Sequence, residues 1–325
     1  MKRREFLALG LAYPLAVPGY RFEFPRDHGA HPDYRQEWWY VTGWLKTKRG
    51  QDLGFQVTFF RVRPDIVTDN PSAFTPRQVI LAHAALSDPR HGRLRHDERA
   101  ARTALGLAGS REQTTRVWVD DWFLELSGDS YRTRIAAREF TLELELRGSG
   151  SRLLQGDSGF SRKGHRPEEA SYYYSRPQLK VSGSADGMPV TGTAWLDHEW
   201  SSQYMAAEAS GWDWCGINLD DGGALMAFRM RGRDGGVVFA PDGMAFEPSR
   251  TWKSPRTGAV YPVAMKIRAG KEELRLEPLM DDQELDARAS TGTIYWEGAV
   301  TAYREQTLAG RGYLELTGYW RPMKL

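Results

Sequence analysis

Apolar and polar residues alternate along most of this chain with the period of two that marks a half-buried β-strand. The clearest run is TLELELR, where Leu142, Leu144 and Leu146 alternate with Glu143, Glu145 and Arg147. EWWYVTGWL (37–45), the turn KTKRGQ (46–51) and DLGFQVTFFRVR (52–63) predict a hairpin whose second strand alternates around Phe55, Val57 and Phe59. Further strands are predicted at QVILAHAALS, RVWVDDWFLELS, YRTRIAAR, EFTLELELRG, ASYYYSRPQLKVSG and PVTGTAWLDHEW. The charged span 89–110 breaks the pattern. It is expected to be a solvated loop, or to hold a short helix over 100–107.

The same order then returns. WDWCGINL, the turn DDGG and ALMAFRMRG repeat the opening hairpin, and both second strands end in Arg-x-Arg: Arg61 and Arg63, then Arg229 and Arg231. TIYWEGAV echoes ASYYYSRPQL, and GRGYLELTGYW echoes PVTGTAWL. This is the mark of an internal duplication, with its joint in the small polar segment 201–210. Each half holds about seven or eight antiparallel strands, and closure into an up-and-down barrel removes the open edges. The expected fold is all-β: two tandem antiparallel up-and-down barrels, one over 20–202 and one over 203–325. A pair of packed β-sandwiches is the alternative. An eight-stranded barrel can hold one small, largely apolar ligand.

Composition agrees with this picture and narrows the partners. The 325 residues include 12 Trp, 14 Tyr, 13 Phe and 33 Gly, a mixture that favours strands and turns. With 44 basic and 42 acidic residues the net charge is only +2, so no nucleic-acid partner is expected. The single cysteine, Cys215, excludes an internal disulfide and reads as a small buried hydrophobe. The opening MKRREFLALGLAYPLAVPGY sets Arg3 and Arg4 before Glu5, Phe6 and Leu7 and a short apolar run, the pattern of a twin-arginine export signal over 1–19 cut after Gly19. The expected location is periplasmic or extracellular; a basic N-terminal tail is the other reading. The apolar run is too short to span a bilayer, and no transmembrane segment is expected. The oligomeric state is left open.

Candidate chemistry gathers at WLDHEW (195–200). Alternation puts Trp195, Asp197 and Glu199 on one face, and Leu196, His198 and Trp200 on the other. A histidine beside an indole can move a proton near neutral pH next to a face that holds positive charge. The competing reading is a hydrogen-bonded core histidine, with the carboxylates on a wet face pairing with arginines. Trp212 and Trp214 share one face of the repeated strand, and Trp38 shares a face with Tyr40. Either pair can line a hydrophobic pocket or fill a barrel. No metal is expected: residues 197–199 point to opposite faces, and no H-x-H or H-E-x-x-H spacing would join them to His28, His31 or His83. GDSGF (156–160) looks like a serine-protease nucleophile loop. It lacks the following Gly-Pro, and too few strands separate it from His83 for a protease barrel.

Taken together, EWWYVTGWL, GDSGFSRKG with ASYYYSRPQL, TAWLDHEWSSQ, GWDWCGINLDDGGALMAFRMR, YWEGAV and GYLELTGYW resemble the carotenoid 1,2-hydratase (CrtC) and attachment-protein (AttH) family across nearly all of residues 30–325. The resemblance implies two lipocalin-like (calycin) barrels. It also implies cofactor-free hydration of an isolated C=C bond in carotenoid-acting members, with His198 and Trp200 matching a histidine and a tryptophan of the hydratases. Where those enzymes carry Tyr-x-Asp, this chain reads Phe228, Arg229, Met230. The resulting expectation is a pocket near the barrel interface for an apolar polyene, terpenoid or lipid. Its walls would include Trp200, Trp195, Trp212, Trp214, Trp38 and Phe228, with His198, Asp197 and Glu199 for the chemistry and no cofactor. A hydratase or lyase is one outcome; a non-catalytic lipocalin-type binder or envelope-lipid carrier is the other.

Overall fold

The structure, a computed structural model, describes residues 13–64, 72, 75, 77–148 and 152–323. The twin-arginine motif lies outside these residues. One antiparallel sheet holds β1 (Gln36–Thr47), β2 (Asp52–Val62), β3 (Val79–Ser87), β4 (Arg95–Arg102), β5 (Ala108–Ser110), β6 (Arg116–Val119), β7 (Trp122–Ser127), β8 (Ser130–Ala136), β9 (Thr141–Arg147), β10 (Leu153–Leu154), β11 (Phe160–Arg162), β12 (Ala170–Ala185) and β13 (Met188–Gln203). A second holds β14 (Ala209–Leu219), β15 (Ala224–Gly232), β16 (Val237–Phe239), β17 (Met244–Lys253), β18 (Val260–Ala269), β19 (Glu272–Pro278), β20 (Glu284–Ala287), β21 (Thr293–Arg304) and β22 (Thr307–Leu316). Among the described residues the one helical element is a 3-10 turn, Arg26–His28.

Each sheet curls into a lipocalin-like barrel, and both close the same way. In the first, order runs β4-β3-β2-β1-β13-β12-β9-β8-β7-β6-β5, and β3 and β4 come round to face β5 and β6. In the second it runs β16-β15-β14-β22-β21-β19-β18-β17. The opening strand of each copy pairs with the closing one: β1 with β13, and β14 with β22. The duplication reaches single residues. Glu37 faces Arg61 across the first hairpin, and Asp213 faces Arg229 across the second. Arg61 Nε bonds Glu37 at 2.7 Å, and Arg229 Nε bonds Asp213 at 2.7 Å.

Two expectations change. The span 89–110 is not a loop with a helix: RHDERAAR forms β4, paired along β3. Its charges hide its period because they are internally matched. Arg95 reaches Asp186 at 2.8 Å, and Asp97 receives Arg138 Nε at 2.9 Å. A charged edge strand of this kind also resists pairing with other chains. RVWVDDWFLELS is a hairpin, β6–β7, turning at Asp120 with φ 53°.

The barrels meet along their outer faces. Trp44 Nε1 of β1 donates to the Gly312 carbonyl of β22 at 2.9 Å. A bulge in β12 follows Arg176, where Pro177 interrupts pairing and Gln178 adopts φ 58°. That bend throws the Gln178 amide onto the carbonyls of Leu219 and Gly223, at 2.8 Å each. At the far end of the first barrel, segment 16–24 closes the lumen. Ala16 is buried, Tyr20 stacks on Tyr172 at 4.3 Å, and Phe22 lies against Gly159 of the GDSGF turn. Gly159 has φ +98°, and a Cβ there would stand 2.0 Å from the Phe22 ring. The motif therefore serves as a seat for Phe22.

Candidate functional site

β13 divides its residues as alternation requires, but the faces have different surroundings from those expected. Leu196, His198 and Trp200 point into the lumen of the first barrel. His198 is fully buried, stacked on Trp39 at 4.8 Å. Its Nε2 lies 2.8 Å from Glu37 Oε1 and its Nδ1 lies 3.2 Å from the Tyr174 hydroxyl. Trp200 is stacked on His31 at 3.6 Å. The cavity between the barrels lies on the opposite side of the strand, where Asp197 and Glu199 are. The reason is topological. A strand shared by a packed lumen and an inter-barrel wall has no wet face, so its outer residues inherit the cavity.

The lumen network is self-contained. Glu37 also receives the His31 amide at 2.9 Å and lies 2.8 Å from His31 Nδ1. Burial alone would raise the Glu37 carboxyl, but Arg61, His31 and His198 hold it well below the usual range. Burial pushes His198 down, only partly opposed by Glu37, and pushes His28 down to about 3. His31, Glu37 and His198 bring three metal-type ligand atoms within 4.8 Å of one another. All three are already engaged with each other, and Arg61 supplies the cation.

The inter-barrel cleft has a volume of about 350 Å³. Trp38 and Tyr40 of β1, Asp197 and Glu199 of β13, and Trp212 and Trp214 of β14 line its polar end, together with Tyr173, Tyr204 and Glu315. The aromatic rings interlock edge-to-face. Trp38 meets Tyr204 at 4.6 Å, Tyr204 meets Trp212 at 5.6 Å, and Tyr40 meets Trp214 at 5.2 Å. Of the other expected wall residues, Trp195 lies buried behind Asp197 and donates to it at 2.6 Å. Phe228 lies 4.1 Å under the ammonium of Lys163.

The carboxyl groups of this wall are unequal. Asp197 accepts from Ser175 at 2.5 Å, Trp195 at 2.6 Å and Tyr173 at 2.7 Å, so both oxygens are filled. Burial nonetheless pushes it up to about 7, against those bonds. Glu199 takes the buried Lys163 at 2.7 Å and the Ser171 hydroxyl. Burial raises it, opposed by Lys163. Glu315 is half-buried and receives one bond, from Trp212 Nε1 to Oε2 at 2.6 Å. Burial pushes it up to about 7, against the Trp212 bond, and the charges of Asp197 and Glu199 add to the rise. Behind it, Glu297 accepts from Tyr40 at 2.5 Å and is held well above the carboxyl range by burial and by Glu315.

Sequence reasoning missed Glu315, Tyr173, Tyr204, Glu297 and Lys163. The duplication held the signal for the first. Glu199 pairs with Trp38 across β13–β1, and Glu315 pairs with Trp214 across β22–β14. The two acids are the same position in the two copies. His83, set aside with GDSGF, lies at the other end of the cleft and bridges the barrels, 2.9 Å from the Tyr295 hydroxyl and 2.8 Å from Ser290 Oγ.

Among solved structures, the chain is similar to a protein of Nitrosomonas europaea provisionally described as AttH. That match has 52% identity and a TM-score of 0.88, covering 94% of this chain and 99% of that one. It also shares the fold of kievitone hydratase from Nectria haematococca, at 15% identity and a TM-score of 0.64, covering 95% of each chain. No curated protein sequence matches it. The AttH-like family model matches residues 15–319, and the chain belongs to that family.

Proposed function

We propose that the cleft between the barrels binds an apolar, unsaturated small molecule or lipid and carries out cofactor-free acid–base chemistry on it, of the hydration or dehydration type. One observation carries this reading: an aromatic-walled cleft holds two carboxyls, Asp197 and Glu315, near pH 7. A general acid works best with a pKa close to the operating pH. Glu315 is the proton donor, because Asp197 has both oxygens occupied. It gives its proton to one carbon of the double bond. Water adds to the other carbon, and the proton this water loses returns to the Glu315 carboxylate. Asp197, Glu199 and the indoles of Trp38, Trp212 and Trp214 stabilise the intervening positive charge. His198 and Trp200 act from the lumen by fixing β13 against β1. Native mass spectrometry of protein recovered from its own cells tests for a co-purified polyene, terpenoid or lipid. Turnover of that compound by wild type and not by Glu315→Gln supports the reading, and equal turnover removes Glu315.

The filled hydrogen bonds of Asp197 and the Lys163–Glu199 pair favour a second reading, a non-catalytic binder or carrier. It would bind the same compound and leave it unchanged. The inference of export, to the periplasm or outside the cell, rests on Arg3 and Arg4 and the apolar run after them. Cleavage after Gly19 would remove Ala16 and the two hydrogen bonds between Val17 and the Tyr172 hydroxyl, so N-terminal sequencing of the exported protein reads the boundary directly.

A further inference from the structure

The cleft is polar at one end and greasy at the other. Its floor crosses four adjacent strands of the first barrel: Asp197 and Glu199 on β13, Trp38 and Tyr40 on β1, then β2 and β3. Neighbouring strands lie about 4.8 Å apart, so the floor runs about 14 Å from acid to apolar end. Phe60, Val62, Val79 and Leu81 form that apolar end.

The acid end carries more negative capacity than the protein itself uses. Of the four acidic residues along the cleft, Glu37 is neutralised by Arg61, which also borders it; Asp197, Glu199 and Glu315 form the acid end, and the buried Lys163 behind it already pairs with Glu199. Glu297 backs this end as a neutral acid, kept protonated by burial and by Glu315, and adds polarity but no charge. It lies on the face of β21 that carries the cleft residue Tyr295, opposite Glu315 on β22. It is fully buried, and its Oε2 has no hydrogen-bond partner among the described residues. The chain also shows how this wall accommodates a cation. Lys163 Nζ lies 4.1 Å from the centre of the Phe228 ring, 4.7 Å from Tyr173 and 5.3 Å from Tyr204, beside a carboxylate. Trp38, Trp212 and Glu315 offer a ligand the same combination on the open side of Tyr204. An anionic head would meet like charge there.

We propose that the cleft selects an elongated ligand with a cationic nitrogen head, seated at Glu315 among Trp38, Tyr204 and Trp212, and an apolar tail laid over Phe60 and Leu81. This rests on the cleft being the ligand site and goes with the non-catalytic binder reading, because a Glu315 ionised against the head has no proton to donate. The groups at the head's end are Asp197 and Glu199 on β13, Glu315 on β22 and the hydroxyls of Tyr40, Tyr173 and Tyr204, with the Glu37–Arg61 pair bordering the cleft and Glu297 on β21 and Lys163 buried behind it. Glu315 must ionise to pair with the head, so below about pH 7 binding releases up to one proton, and it tightens as pH rises towards neutrality.

Decylammonium, decanol and decanoate share one tail and differ in the head, and calorimetry with quenching of tryptophan fluorescence measures all three. At pH 8 decylammonium should bind at least about tenfold tighter than decanol, with decanoate weakest. The preference should shrink at pH 5.5, and Glu315→Gln and Trp212→Leu should each reduce it several-fold, with circular dichroism confirming that the variants fold. Decanol binding as tightly as decylammonium at pH 8, or a preference that survives Glu315→Gln, overturns the cationic head while leaving the cleft as a binding site. No binding by any of the three overturns the cleft reading as well.

Discussion

At the residue scale, Glu315 and Asp197 differ in what surrounds them rather than in how far they are shifted. Asp197 is bonded on both oxygens and Glu315 on one. If Glu315 donates the proton, Glu315→Gln should lower turnover by about 10² or more, while Asp197→Asn also disturbs Tyr173, Ser175 and Trp195 and should lower both turnover and stability. Their titration has a definite sign. Both carboxyls sit higher in the fold, at about 7, than in the unfolded chain, so their contribution is fully present below about pH 4 and is lost as pH rises to 7. His28 and His83, pushed down to about 3 by burial, act oppositely and cost stability as pH falls below about 6.5. Comparing variant with wild type cancels the histidines. The melting-temperature advantage of Glu315→Gln should be largest near pH 8 and shrink by several degrees by pH 4.5; a constant difference would contradict the raised carboxyl. His198→Ala leaves a hole beside Trp39 and takes a partner from Glu37, at a cost of about 2–4 kcal/mol readable in a denaturant titration.

At the element scale, β2 has to approach the second barrel closely. A Cβ on Gly54 would come within 2.5 Å of Ala299 Cβ and 2.7 Å of the Tyr313 hydroxyl. Gly54→Ala should therefore push the barrels apart, costing about 1–3 kcal/mol and weakening cleft ligands, as a melting curve and a binding titration would show. The bulge at Gln178 is the complementary device, bending β12 so that one amide spans two carbonyls of the partner barrel. β4 shows why a charge run misleads. Hydrophobic periodicity assumes that buried means apolar, whereas Arg95 and Asp97 are buried as matched ions.

At the scale of the whole molecule, the site exists because two copies of one sheet meet by their outer faces. Glu199 and Glu315 reach one cleft from equivalent strands. Neither barrel alone has the site, and each would expose Tyr40, Trp44, Trp214, Ala299 and Tyr313 if separated. Residues 209–323 expressed alone should aggregate or bind a hydrophobic dye, as light scattering and dye fluorescence would report.

Hairpins, repeat and the facing of every residue in WLDHEW were legible in the sequence, because alternation is a local consequence of backbone geometry. The same alternation correctly grouped Trp38 with Tyr40 and Trp212 with Trp214. It could not tell which side of β13 would meet a cavity. That depended on segment 16–24 sealing one end of the lumen, on the His31–Glu37–His198 network filling it, and on the second barrel covering the outer face. Sequence fixes which side chains share a face; only the packing of one closed sheet against another decides whether that face looks onto core, water or ligand.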